Sequence, residues 1–128
     1  MKFSTKAEYG LRATVYLAKN YPYLRSINEI SLEEKISAKY LEQIFNSLRR
    51  DGIVLSQKGK SGGYTLARDP QEIKVGEIIE TLEGKIEPSK CNSPACKNST
   101  CTAKRVWIKL SREIKKTLDN IKLSDLIK

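Results

Sequence analysis

A mainly α-helical fold carrying one small β-hairpin is what this sequence predicts, on three observations. Apolar residues recur at helical spacing through most of the chain. The period changes once, between Ile53 and Ala67, where two short β-prone runs flank the glycine-rich stretch Lys58-Gly59-Lys60-Ser61-Gly62-Gly63. Two short helical segments joined by a tight turn directly precede that hairpin. Together they give a winged helix-turn-helix, followed by a long C-terminal helix whose expected use is dimerisation.

Each element has a local reason. From Thr5 to about Asn20, Ala7, Leu11, Thr14/Val15 and Ala18 fall on one helical stripe, with Tyr9 and Tyr16 adding bulk. The Asn20-Tyr21-Pro22 step ends it, because proline disfavours helical backbone at the residue before it. Ser26-Ile27-Asn28-Glu29 reads as a capping box opening a short helix through about Lys35. After a turn at Lys35-Ile36, Ser37 caps a helix with Leu41, Ile44/Phe45 and Leu48 inward and Asp51-Gly52 as its stop. The strands are expected over Ile53–Gln57 and Tyr64–Ala67, then a helix near Val75–Leu82 with Ile78, Ile79 and Leu82 inward. From Thr102 to about Asn120 a long amphipathic helix carries Ala103, Val106/Trp107, Leu110, Ile114 and Leu118, and Ser124 restarts a last turn to Ile127. So long a helix behind so small a domain has too little of its own chain to pack against, which points to a second copy.

The 128 residues suit about one domain, taking ~150 residues per domain as the guide. Hydrophobic residues are 39% and charged residues 30%, so a core is within reach under a heavily ionised surface. No apolar run approaches the ~20 residues that span a bilayer, and the first residues lack a signal-peptide core. The expectation is a soluble, cytoplasmic protein with no membrane partner. A net charge of +9 points to a polyanionic partner. There is no histidine, which removes Ser-His and Cys-His nucleophile pairs and His-based zinc sites, so an enzyme is not expected.

The charge is not evenly spread. Residues 1–69, read as the winged helix-turn-helix DNA-binding domain, hold 12 basic and 7 acidic groups. Residues 70–88, the connecting helix, hold 2 and 5, so an acidic segment separates two basic ones. The remaining residues hold 10 and 3, divided between a cysteine loop (89–101) and the dimerisation helix with its C-terminal turn (102–128).

Candidate DNA-binding residues follow from the helix-turn-helix. Ser37, Lys39, Tyr40 and Gln43 lie on the polar face of its second helix. Glutamine can pair bidentately with adenine, and the others reach phosphates or base edges. Arg49 and Arg50 fit phosphate contact, and equally the helix dipole. Lys58 and Lys60 place two cations on a glycine-rich turn able to enter a minor groove. Gly59-Lys60-Ser61 is not a phosphate-binding P-loop, because Val54 stands where that motif needs glycine.

Cys91, Cys96 and Cys101 form Cys-x₄-Cys-x₄-Cys. An odd cysteine count argues against a disulfide framework. A spacing of four is long for a zinc knuckle and suits an iron–sulfur loop, and the neighbouring Lys90, Lys97, Lys104 and Arg105 favour thiolate. An iron–sulfur site, redox-active thiols, a three-thiolate zinc site and plain surface cysteines all remain open on spacing alone. Asn98-Ser99-Thr100 matches a glycosylation sequon, which in a protein that is not secreted is a chance match.

Residues 1–13, Tyr40-Leu41-Glu42-Gln43-Ile44-Phe45, Leu48-Arg49-Arg50, Gly62-Gly63-Tyr64 and Val75-Gly76-Glu77-Ile78-Ile79 resemble a family of winged-helix repressors. That family includes the iron–sulfur cluster regulator IscR, the nitric-oxide sensor NsrR and the cysteine-metabolism repressor CymR. The resemblance runs essentially end to end, the three-cysteine loop and the Trp107 helix included. It implies a homodimer whose long helices cross, binding a double-stranded DNA operator, with an iron–sulfur cluster, 2Fe–2S as the expected form, near the partner's DNA-binding domain. By position, Ser37, Lys39, Tyr40 and Gln43 read the groove. Lys58 stands where the family's wing carries a minor-groove arginine, and Glu42 where a glutamate discriminates between classes of DNA site. IscR-like proteins place a histidine ligand three residues after the third cysteine, and here that residue is Lys104, a poor ligand. NsrR-like relatives use an acidic residue of the other subunit near the start of the first helix, where this chain has Glu8. The resemblance thus implies Cys91, Cys96, Cys101 and Glu8 as ligands and a regulator of cluster biogenesis. A nitric-oxide or redox repressor of the same family is the alternative, and a zinc-stabilised nonspecific DNA-binding protein the alternative outside it.

Overall fold

The computed structural model of the protein describes residues 2–88 and 102–128. The expected cysteine loop at 89–101, with Cys91, Cys96 and Cys101, therefore lies outside the described residues. Helix α1 spans Thr5–Lys19 and begins where the Ser4 hydroxyl accepts the Ala7 N–H at 3.1 Å. It ends at Asn20, whose side-chain amide donates to the Tyr16 carbonyl. Helix α2 (Ile27–Glu34) is capped by Ser26, which accepts the Glu29 N–H. It closes at Lys35, in left-handed backbone at φ 57°. The Ser31 hydroxyl spans that turn to the Ile36 carbonyl at 2.6 Å, and helix α3 (Ala38–Arg50) begins directly after Ser37.

Strands β1 (Val54–Gln57) and β2 (Gly63–Leu66) pair antiparallel, with Val54 opposite Leu66 and Gln57 opposite Gly63. A 3-10 turn at Pro70–Glu72 leads into α4 (Val75–Glu83), and α5 (Lys104–Asp119) is followed by a second 3-10 turn at Leu123–Leu126. The helices and strands expected from the sequence are all present, with ends within two residues of those expected.

Two details differ from the periodicity reading. The buried face of α1 is Ala7, Gly10, Ala13, Thr14, Leu17 and Ala18, while Leu11 and Val15 are only half-buried. The rotation follows from Gly10, where any β-carbon would collide with Leu82 of α4, so α1 lays its smallest residues against α4. The hairpin also has a third participant. Arg25, ahead of α2, exchanges two backbone hydrogen bonds with Tyr64 of β2, at 2.9 and 2.8 Å. Gly63 beside it has φ 152° and packs against the Arg25 carbonyl, where a side chain would not fit.

One hydrophobic core runs through both halves of the sequence. Leu17, Leu41, Ile44, Phe45 and Leu48 join Ile73, Ile78, Ile79, Leu82 and the C-terminal Leu123. Helix α4 is central to it, packing on α1, α3 and α5. The segment after α5 is fastened to the segment before α4 by two backbone bonds, Val75 N–H to Ile121 and Leu123 N–H to Ile73. Helix α5 itself buries no residue completely: Ile114 and Leu118 lean on the core, while Val106 is 60% and Leu110 39% exposed.

Candidate nucleic-acid interface

Helix α3 turns Leu41, Ile44, Phe45 and Leu48 into the core, which leaves Lys39, Glu42, Gln43 and Asn46 exposed on the opposite face. Ser37 is exposed at its N-terminus, accepting the Tyr40 N–H at 3.2 Å. Tyr40 is placed differently from its neighbours: it is half-buried, with its ring edge-on to Tyr9 at 5.8 Å between centroids. Asn46 belongs to the exposed face although the sequence reading passed over it. Its position one turn beyond Gln43 and two beyond Lys39 was the available signal.

Arg49 and Arg50 are exposed at the end of α3. Arg49 donates to Asn46 and to the Ser56 hydroxyl of β1, linking the helix to the wing, and Arg50 lies 4.0 Å from Asp51. The wing stands beside α3 because Tyr64 of β2 stacks on Phe45, with centroids 4.6 Å apart and planes 24° from parallel. At its tip Lys58, Gly59, Lys60 and Ser61 are exposed, and the Gly62 N–H closes the turn onto the Gly59 carbonyl.

Glu8 is exposed in the first turn of α1, and among the described residues it enters no ion pair. Lys104 is the half-exposed first residue of α5. Among the described residues no cluster of three or more metal-ligating side chains occurs, and the three cysteines fall outside them. No described helix is long and apolar enough to cross a membrane.

Behind the interface, burial pushes the Glu77 carboxyl up, but the Lys74 backbone N–H and the Arg68 guanidinium outweigh burial and hold it below the ordinary carboxylate range. Hydrogen bonds to Glu80 and then Asp119 raise the Lys115 ammonium.

A helix with a buried apolar side and an exposed polar side, introduced by a short helix and a tight turn and flanked by a lysine-tipped hairpin, defines a winged helix-turn-helix DNA-binding protein. The chain belongs to the Rrf2 family, described as iron-dependent transcriptional regulators, whose family model matches residues 3–128. It is similar to the transcriptional regulator IscR of Cereibacter sphaeroides, 38% identical over 136 residues that cover 100% of this chain and 88% of that one. Among solved structures it is similar to IscR of T. potens, at 38% identity and TM-score 0.82, covering 99% of this chain and 86% of that one. CymR, the global cysteine regulator of B. subtilis, matches at 35% identity and TM-score 0.86, covering 99% and 96%. These relatives are transcriptional regulators and not enzymes, and so is this protein.

Proposed function

We propose that this regulator binds operator DNA as a homodimer and reports iron–sulfur status through a cluster held by Cys91, Cys96, Cys101 and Glu8. The carrying observation is a lysine-tipped wing seated beside an exposed polar recognition face, in a chain of an iron-dependent family that retains a three-cysteine segment. Ser37, Lys39, Tyr40 and Gln43 read the groove, Arg49 and Arg50 meet phosphates, and Lys58 and Lys60 enter from the wing.

The donor set fits an iron–sulfur cluster. Cysteine thiolates are the usual cluster ligands, commonly four; this segment offers three, and the exposed Glu8 supplies a carboxylate without having to leave another charged partner among the described residues. A carboxylate holds iron less tightly than a fourth thiolate, which suits a cluster that must be lost for its signal to be read. When bound, the cluster supplies reactivity toward oxygen or nitric oxide. The protein's own part is to present the recognition face differently in the two states, a shift of population between conformations. Regulation of cluster biogenesis follows from the IscR likeness. The exposed apolar residues of α5 support the dimer. The functional divisions are those of the charge pattern: DNA reading in 1–69, a connecting helix in 70–88, cluster binding in 89–101 and dimerisation in 102–128.

A second reading is favoured by Lys104 in place of an IscR-type histidine and by the likeness to CymR. On it the thiols answer to cysteine metabolism or oxidation without a cluster. Anaerobic purification with a visible spectrum and assays of iron, sulfide and zinc separates the two. Iron and sulfide in equal amounts with visible absorption support the sensor. A colourless, metal-free protein that still binds DNA supports the thiol reading, and stoichiometric zinc sinks both. Glu8→Ala is expected to shorten the cluster's lifetime in air, and an unchanged lifetime removes Glu8 from the ligand set.

A further inference from the structure

Helix α4 lies in the acidic segment between two basic ones, and its polar side chains, though partly exposed to water, reach several other elements. Glu77 divides its two oxygens: one accepts the Lys74 N–H at 2.9 Å, closing the start of α4, and the other accepts Arg68 at 2.8 Å. Arg68 lies two residues past the end of β2, and its guanidinium also donates to the Glu72 carbonyl. One turn further along α4, the Thr81 hydroxyl donates at 2.8 Å to Asp51, the residue that caps the C-terminal end of α3. Glu80 takes Lys115 of α5 at 2.6 Å, and Glu83 accepts the Ser4 N–H at the start of α1.

These ties differ from the packing that makes the core. The wing and α3 are fastened to α4 at separate points, through Arg68–Glu77 for one and Asp51–Thr81 for the other. Helix α5 meets α4 closely enough that a β-carbon on Gly76 would collide with the Asp119 carboxylate. It is also pinned at its C-terminal end by the backbone pairing around Lys74 and Lys122. The cysteine segment enters α5 at the other end, about 24 Å away at 1.5 Å per residue over sixteen residues.

We propose that α4 positions the two DNA-reading elements through separate contacts, Glu77 acting on the base of the wing through Arg68 and Thr81 on the end of the recognition helix through Asp51, in addition to the direct Arg49–Ser56 and Phe45–Tyr64 contacts that join wing and helix. This rests on the DNA-binding reading of α3 and the wing. Glu77 and Thr81 are positioning residues, neither of them on the exposed face of α3 nor at the wing tip. Because wing and α3 also touch directly, loss of the Glu77 tie is felt mainly at the base of the wing and loss of the Thr81 tie mainly at the end of α3.

The test is a pair of crossed double-mutant cycles on the full chain as purified, using a DNA duplex enriched from a random pool by the wild-type protein. Lys58→Ala reports the wing and Gln43→Ala the recognition helix. With Glu77→Gln, the combined loss with Lys58→Ala is expected to fall short of the product of the single losses by at least about twofold. With Gln43→Ala the losses should multiply to within about twofold. Thr81→Val is expected to give the reverse pattern. Losses that multiply in all four pairings, or couple equally in all four, overturn the proposal. Should Glu77→Gln fail to fold, Arg68→Lys takes its place in the same cycles, since it weakens the tie while keeping the charge. If Lys58→Ala and Gln43→Ala alone leave binding intact, the interface itself is wrong, a failure distinct from that of the joint and one that overturns it too.

Discussion

Helices α3 and α5 are both amphipathic, yet they dispose of their apolar residues in opposite ways. In α3 Leu41, Ile44, Phe45 and Leu48 are wholly buried by the same chain, so only the polar face remains for a ligand. In α5 no residue is wholly buried, and Val106 and Leu110 are exposed among side chains that are mostly lysine and arginine. The difference bears on the kind of partner each surface suits. A satisfied helix with a polar outer face suits a polar, charged partner, and an unsatisfied apolar one suits a protein.

The sharpest way to break the contrast is to empty the α3 side of the core. Phe45→Ala removes the ring on which Tyr64 stacks and is expected to cost about 3–5 kcal/mol, read as a lowered urea midpoint. Since the wing rests on the same ring, DNA affinity should fall below what the unfolded fraction explains. On the α5 side, Leu110→Glu should leave the fold intact and weaken self-association. A rise of tenfold or more in the dissociation constant of the proposed dimer corresponds to about 1.4 kcal/mol and is measurable by sedimentation equilibrium in the analytical ultracentrifuge. An unchanged dimer would mean that this face of α5 serves something else.

Smaller effects sharpen the picture. Ser37→Ala removes the cap that opens the recognition helix and is expected to cost about 1 kcal/mol, with Ser26→Ala as the matched control on α2. The smallest concerns Glu77. Its folded-state pKa is depressed, so its contribution is present at neutral pH and is lost as pH falls below the ordinary value of 4.5 and through the depressed one. The pair with Arg68 is more than a third exposed on each side, so screening limits this to less than about 1 kcal/mol. Urea midpoints measured between neutral and acid pH should decline less steeply in Glu77→Gln than in the wild type.

How much of this could be read in the chain depended on the range of the interaction. Caps at Ser26 and Ser37, the break before Pro22 and the inward stripe of α3 are set by residues a few positions apart, and they stand as expected. The burial of α1 was rotated because Gly10 is small for the sake of Leu82, far away in sequence, and periodicity weighs a glycine as nothing. The same limit hid the Arg25–Tyr64 bridge and the Glu77–Arg68 tie, which join residues whose neighbours in sequence give no hint of the pairing. At the site, the exposed positions Lys39 and Gln43 followed from helical geometry, whereas the half-burial of Tyr40 depended on Tyr9 arriving from another helix.

The bridge at Arg25 has a consequence for solubility. With Arg25 bridged to Tyr64 on its outer side, β2 is paired on both flanks at that residue, whereas β1 is paired on one flank throughout. An open strand edge is a template for pairing with another chain, and Leu55, 54% exposed on β1, adds an apolar hold. That edge is guarded by Arg49, reaching across to Ser56, and by Lys58 immediately after the strand. Cations at a strand edge repel a second copy of the same edge. Two residues proposed above to contact DNA therefore also guard the wing against aggregation, and neutralising both should make the protein prone to intermolecular β-pairing whenever DNA is absent.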